Sequence, residues 1–73
     1  MKMSFCEKIV NLRKKFGLTQ REVAARLHVD RSTYAYYELG RTAPSFRLLL
    51  ALARFYDVTV ESLIDNDTNI RWL

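Results

Sequence analysis

Hydrophobic positions recur every three or four residues along most of the chain, and such a stripe covers one face of an α-helix. Four segments carry a stripe of this kind. Its members are Ile9, Leu12 and Phe16, then Val23, Ala24 and Leu27, then Tyr34 and Tyr37, and finally Phe46, Leu49, Leu52, Ala53 and Tyr56. No run of alternating polar and apolar residues bounded by turn signals indicates a strand. The pattern therefore predicts an all-α fold.

Each predicted helix begins after a residue that suits a helix N-terminus. Ser4 with Glu7, and Thr19 with Glu22, have the spacing of a capping box, in which a hydroxyl and a carboxylate each accept an amide proton. The expected caps of the other three helices are Asp30, Ser45 and Thr59. The residues expected to end the first and third helices are Gly17 and Gly40. These signals place helix starts near residues 5, 20, 31, 46 and 60.

The length and composition of the chain limit its organisation. It has 73 residues, which is enough for one small domain. Hydrophobic residues make up 49% of it and charged residues 27%, a composition typical of a globular protein rather than a disordered one. We expect a single domain over residues 1–64 and a C-terminal tail over residues 65–73, polar at first and apolar at its end.

The segment from Leu18 to Gly40, with its flanks, resembles the helix-turn-helix of the Cro/CI-type phage repressors and the wider XRE family. The matching residues are Leu18, Thr19, Gln20, Val23, Ala24, Leu27, Val29, Arg31, Ser32, Thr33, Tyr37, Glu38, Gly40, Pro44 and Ser45. The resemblance implies a compact five-helix, lambda-repressor-like domain that binds double-stranded DNA and regulates transcription, most simply as a repressor covering a promoter. His28 departs from the family pattern, because it stands where glycine is usual and where a positive φ is generally needed.

The third predicted helix is the one expected to read DNA. A helix fits the major groove, and its first turn lies nearest the base edges. Arg31 can make a bidentate pair with guanine, whereas Ser32 and Thr33 can form less selective hydrogen bonds. Tyr36 lies one turn beyond Ser32 and is expected to contact a base edge; the alternative is a surface tyrosine packed over arginine side chains.

The resemblance assigns other residues to the DNA backbone and to the fold. Gln20 matches the family residue that anchors a phosphate at the start of the second helix. Arg41 and Thr42 lie where the family's loop meets the DNA backbone. Arg13 and Glu38 match a structural pair that ties the first helix to the end of the third.

Charge and cysteine content indicate the kind of binding partner and the cellular compartment to expect. The formal net charge of +4 favours a polyanionic partner, although the same charge would also keep a small protein soluble. Cys6 is the single cysteine, so an internal disulfide cannot form, and a reducing cytoplasm is expected. The longest apolar run, residues 48–53, is far too short to span a bilayer, so no membrane partner is predicted.

The sequence predicts no enzymatic activity, metal site, cofactor or small-molecule ligand. Glu22 and Glu38 are accounted for by capping and pairing, and His28 has no cysteine or acidic cluster at metal-ligand spacing. The alternative to a regulator is an antitoxin-like interaction module of the same fold that also binds DNA. RNA binding is less favoured, because no strand platform of stacking aromatic residues is present.

The fourth predicted helix carries more apolar surface than one buried stripe requires. At about 100° per residue its apolar arc spans roughly 260°, and the stripe from Phe46 to Tyr56 is the expected core face. Leu48 and Phe55 fall on a neighbouring face, which predicts a homodimer interface formed by Leu48, Phe55 and Trp72. Such a dimer would select a pseudo-palindromic operator. In the alternative, the apolar end of the tail covers this face within one chain.

Overall fold

Five α-helices make up the part of the protein that the computed structural model describes, residues 3–64. They are α1 (Phe5–Lys15), α2 (Gln20–Leu27), α3 (Arg31–Leu39), α4 (Phe46–Tyr56) and α5 (Val60–Ile64). All five begin where the capping signals predict, and residues 3–64 contain no strand. None of the five is long and apolar enough to cross a membrane. The predicted tail, with Trp72, lies outside the described residues.

Side chains cap four of the five helices as predicted. The hydroxyl groups of Ser4, Thr19, Ser45 and Thr59 each accept the backbone amide proton of the residue three positions further on. Glu7 and Glu22 complete the two capping boxes by accepting the cap amide, at 2.9 and 2.8 Å. Each of these bonds satisfies an amide that has no partner inside its own helix.

The prediction that the Asp30 side chain caps α3 is wrong. The backbone of Asp30 has the extended conformation of an N-cap residue, with φ −66° and ψ 147°, but its carboxylate makes no cap hydrogen bond. Asp30 is exposed, so water can solvate both the carboxylate and the first amides of the helix. Because neither group is buried, the cap hydrogen bond is not needed to satisfy them.

Residues in the left-handed conformation follow the first four helices. They are Gly17 after α1 (φ 69°), His28 after α2 (φ 61°), Gly40 after α3 (φ 78°) and Asp57 after α4 (φ 57°). Gly17 and Gly40 end their helices as predicted, and His28 confirms the predicted positive φ in the turn. Gly40 is required for a second reason, because a Cβ atom there would lie 3.1 Å from the Cys6 sulfur. The end of α3 therefore packs closely against α1.

One hydrophobic core joins all five helices. Each helix contributes one almost fully buried side chain, and in chain order these are Ile9, Val23, Tyr34, Leu52 and Leu63. The predicted inward faces of α2 and α3 are confirmed, since every member of both stripes is buried. Packing of this core, rather than local propensity alone, stabilises helices of only five, eight and nine residues.

The predicted core face of α4 is partly wrong. Phe46 is 66% exposed, whereas Leu48, assigned to the dimer interface, is only 8% exposed. Leu48 belongs to the buried core cluster, so it is covered within its own chain. The buried side of α4 therefore includes Leu48 and leaves out Phe46. An apolar arc this wide could not by itself indicate which part the neighbouring helices cover.

Phe55 is partly buried in the last turn of α4, where it packs against the edge of the core. Its ring lies 4.8 Å from the ring of Tyr56, centroid to centroid, and the guanidinium of Arg26 lies 5.8 Å from its centroid. Phe55 is half-buried by these contacts with its own chain. Of the three residues predicted to form a dimer interface, it is the one that the described structure leaves partly exposed.

Candidate nucleic-acid interface

One face of α3 is exposed to solvent, and the opposite face is buried in the core. Tyr34 has no exposed surface and Tyr37 only 8%, and their rings pack edge to face with centroids 6.3 Å apart. Arg31 and Ser32 are exposed, and Tyr36 keeps 45% of its surface exposed. The helix is therefore anchored by aromatic side chains on one side and presents polar groups on the other.

The remaining residues predicted to meet DNA lie at the edges of this surface. Thr33 is half-buried, so it offers less surface than Arg31 or Ser32. Arg41 and Thr42 are exposed in the loop that follows α3. The backbone amide of Arg41 donates to the carbonyl oxygen of Tyr36 at 3.0 Å, which fixes the direction in which the chain leaves the helix.

Arg13 and Glu38 meet as the resemblance implies. The Nε and Nη2 groups of Arg13 donate to the two carboxylate oxygens of Glu38 at 2.6 and 3.1 Å, and Arg13 Nη1 donates to the carbonyl oxygen of Leu18 at 3.0 Å. The side chains are 14% and 5% exposed. A bidentate pair of this kind has a defined geometry as well as a strong attraction. It fastens α1 to the last turn of α3.

The electrostatic surroundings keep Glu38 ionised. Burial alone would raise the pKa of its carboxyl group, but the hydrogen bonds from Arg13 and Gln20, together with the nearby Tyr34 hydroxyl, outweigh that effect and lower the pKa below its usual value. The hydrogen bond to Glu38 in turn raises the pKa of Arg13. Burial, and then the nearby Glu38 carboxylate, raise the pKa of Tyr34. The charge of Glu38 is thus a fixed feature beneath the exposed surface of α3.

Gln20 links this buried carboxylate to the exposed surface. Its side-chain Nε2 donates to Glu38 Oε1 at 2.9 Å, and its Oε1 accepts from Arg31 Nη1 at 3.4 Å. The resemblance assigns Gln20 to a phosphate contact and gives no indication of this bridge. The signal that could have suggested it is the pair of N-terminal helix positions held by Gln20 and Arg31, which the short turn between α2 and α3 brings close together.

The surface offers hydrogen bonds and positive charge. Its exposed groups are the guanidinium of Arg31, the hydroxyl of Ser32 and the phenol of Tyr36, with the guanidinium of Arg41 just beyond the helix. Within residues 3–64, no group of three His, Cys, Asp or Glu side chains is placed to hold a metal ion. This set of donors suits the base edges and phosphates of a nucleic acid.

Comparison with known sequences assigns the chain to a family. The family described as "Helix-turn-helix" matches residues 9–63. The transcriptional repressor RstR of the cryptic phage CTXphi from Vibrio cholerae is 40% identical over 67 residues, which cover 90% of this chain and 60% of RstR. An uncharacterised HTH-type transcriptional regulator of Archaeoglobus fulgidus is 35% identical over 65 residues, covering 89% of this chain and 93% of that protein. The chain thus spans less than two thirds of RstR and nearly all of the archaeal relative.

Solved structures with the same fold point in the same direction. A transcriptional regulator from Listeria innocua superposes with a TM-score of 0.83 at 27% identity, covering 100% of this chain and 68% of that one. The P22 c2 repressor, crystallised in complex with a synthetic operator, also gives a TM-score of 0.83, at 25% identity, covering 89% of this chain and 98% of the repressor. This protein therefore belongs to the helix-turn-helix family of DNA-binding transcriptional regulators.

Proposed function

We propose that this protein binds double-stranded DNA in the cytoplasm through α3 and represses transcription by covering a promoter. The observation that carries the proposal is the placement of Arg31, Ser32 and Tyr36 on the exposed face of a helix whose other face is locked in the core. Hydrogen bonds to base edges need such rigid support, because they weaken steeply when distance or angle is wrong. The net charge of +4 and the similarity to RstR, a phage repressor, support the same conclusion.

In the proposed complex, different residues of α3 contact different bases. Arg31, in the first turn, pairs with the O6 and N7 acceptors of a guanine. Ser32 and Thr33 add hydrogen bonds that select less strongly, and the methyl group of Thr33 suits the methyl group of a thymine. Tyr36, one turn further along, contacts the edge of a neighbouring base.

A second set of groups holds the DNA backbone. The amide of Gln20 lies at the first position of α2, where the helix dipole favours a phosphate. Arg41 and Thr42 contact the backbone from the loop after α3. Contacts of this kind fix register and supply affinity without selecting sequence.

The regulator acts as a homodimer on a pseudo-palindromic operator. Two copies related by a two-fold axis would place their α3 helices about one DNA turn apart, roughly 34 Å. The partly exposed ring of Phe55 supports an interface at the C-terminal end of α4. Leu48 is excluded from that interface, since it is buried within its own chain.

Selection of bound sequences from a random pool of duplex DNA tests the whole proposal. The expected result is an enriched site with two inverted half-sites whose centres are about 10–10.5 base pairs apart. A salt titration on that duplex and on single-stranded RNA gives the expected preference for the duplex at every salt concentration. A pool that shows no enrichment, or tighter binding to the RNA, would overturn the proposed function.

A further inference from the structure

A continuous set of hydrogen bonds runs from the buried ion pair to the exposed first turn of α3. Arg13 donates twice to Glu38, the Gln20 amide donates to Glu38 Oε1 at 2.9 Å, and Arg31 Nη1 donates to Gln20 Oε1 at 3.4 Å. The path starts on α1, passes through the last turn of α3, crosses α2 and returns to the start of α3. It connects a group in the protein interior to a group placed to read DNA.

The charge of Glu38 fixes the direction of every bond in this path. An ionised carboxylate only accepts hydrogen bonds, so the Gln20 amide must turn its N–H groups towards Glu38. The oxygen of the amide then faces the other way, and only a donor can bind it. Arg31 meets that requirement, because its guanidinium carries five N–H donors and no acceptor. The reversed amide would place its N–H groups against the guanidinium and its oxygen against the carboxylate.

Holding Arg31 in this way prepares it for base recognition. A long exposed arginine samples many rotamers, and fixing one of them on binding costs conformational entropy. Gln20 engages Nη1 from one side, while the rest of the guanidinium fork stays available for the two acceptors of a guanine. The side chain is therefore partly ordered before DNA arrives.

From these contacts we infer that Glu38 is a positioning residue for DNA reading as well as half of a structural pair. It acts through the Gln20 amide, which orients Arg31 towards its base pair. The inference rests on the proposed function and adds a residue beneath the DNA-binding surface to the set that determines specificity. It also gives the side chain of Gln20 a role distinct from phosphate binding by the backbone amide of the same residue.

The experiment measures dissociation constants of the wild type and variants for three duplexes. These are the preferred site, the same site with the Arg31 base pair replaced, and the same site with a base pair read elsewhere replaced. Gln20→Leu has similar size, breaks the link and leaves the Arg13–Glu38 pair intact. We expect it to lower discrimination at the Arg31 base pair by about threefold or more, with discrimination at the other base pair unchanged.

Two further variants link the effect to Arg31 and to Glu38. In Gln20→Leu/Arg31→Ala, discrimination should equal that of Arg31→Ala alone, because Gln20 has nothing left to orient. Glu38→Gln should reduce discrimination at the same base pair, measured at a temperature at which circular dichroism shows the variant folded. The double variant Gln20→Leu/Glu38→Gln should discriminate about as poorly as Gln20→Leu alone. Should Glu38→Gln not fold, Glu38→Asp keeps the charge but withdraws the carboxylate from the Gln20 amide, and it should reduce discrimination at the same base pair.

Ala25→Leu is the matched control, because it adds an exposed leucine to α2 at a position away from the path. It should leave both discrimination ratios at their wild-type values. A Gln20→Leu variant that weakens all three duplexes by the same factor would overturn the inference, since that is the behaviour of a phosphate contact. A wild type without preference at any base pair would instead overturn the proposed function, and the inference with it.

Discussion

Arg13 and Glu38 join the first helix to the last turn of the third through two parallel hydrogen bonds, and both side chains are largely withdrawn from solvent. Such a pair adds modest net stability, because desolvation offsets much of the attraction. Removing one partner is a different matter, since the other charge is then left without compensation.

Glu38→Ala is therefore expected to lower the free energy of unfolding by about 1–3 kcal/mol. The double variant Arg13→Met/Glu38→Leu should recover part of that loss, because it removes both buried charges and keeps apolar volume. Urea denaturation of the wild type, Arg13→Met, Glu38→Leu and the double variant forms the complete cycle. Strictly additive losses would contradict the observed contact.

The lowered pKa of Glu38 predicts a loss of stability in acid. Because the folded-state pKa lies below the unfolded value of about 4.3, the unfolded chain binds more protons in this range. The stabilisation is present above about pH 4.3 and is lost as the pH falls through the folded pKa. Urea midpoints measured from pH 7 to pH 3 should fall less steeply for Glu38→Gln than for the wild type. Equal slopes would show that Glu38 titrates alike in both states.

The proposed division between base and backbone contacts predicts two different binding defects. Arg31→Ala should cost about 1–3 kcal/mol on the preferred site and relax specificity at one base pair. Arg41→Ala should weaken all duplexes about equally and lower the slope of log K against log salt by about one. Fluorescence anisotropy on specific and random duplexes distinguishes the two. An Arg31→Ala variant that loses the same affinity on both duplexes would show that α3 is not the reader.

Gly40 combines a left-handed backbone with close contact to Cys6, and this predicts a large effect of one methyl group. Gly40→Ala should lower the free energy of unfolding by more than the cost of about 1–2 kcal/mol that a left-handed conformation alone imposes. Gly17→Ala is the control, because φ is 69° there but no other atom lies within 4 Å of the added Cβ. Thermal denaturation should rank Gly40→Ala below Gly17→Ala. The reverse order would mean that the Cys6 sulfur moves aside without cost.

The proposed dimer predicts that a charge at Phe55 separates the subunits. Phe55→Glu should remain folded, sediment as a monomer at micromolar concentration and lose operator affinity. Arg54→Glu is the control, since it introduces the same group at the adjacent, exposed position. A wild type that is monomeric with full operator affinity would rule out the interface. Unfolding of Phe55→Glu would place Phe55 in the core.

Features set by neighbouring residues could be predicted from the sequence, and features set by distant contacts could not. The helix starts follow from hydroxyl–amide bonds three residues apart, such as Ser45 with the amide of Leu48. The exposure of Leu48 and Phe46 depends on how the other helices pack against α4, which spacing within α4 does not reveal. The Asp30 cap is an exception among the local features, because water can solvate its exposed carboxylate in place of the predicted cap hydrogen bond.

The candidate site divides in the same way. The side of α3 that carries Arg31, Ser32 and Tyr36 was predictable, because the buried tyrosines fix the other side. The complete bridge made by Gln20 was not, since it joins α2 to both ends of α3 and depends on how the two helices pack. Its contact with Glu38 depends on a carboxylate 18 residues away in the chain.

The two-sided construction of α3 has a consequence for how this protein can change over evolutionary time. Tyr34 and Tyr37 lie in the core, whereas the residues proposed to set operator preference, Arg31, Ser32 and Tyr36, are exposed. If the proposed function holds, mutations on the exposed face can therefore redirect the protein to a new operator without first unfolding it. Arg31 is the least free of the three, because a replacement must also suit the oxygen that Gln20 presents to it.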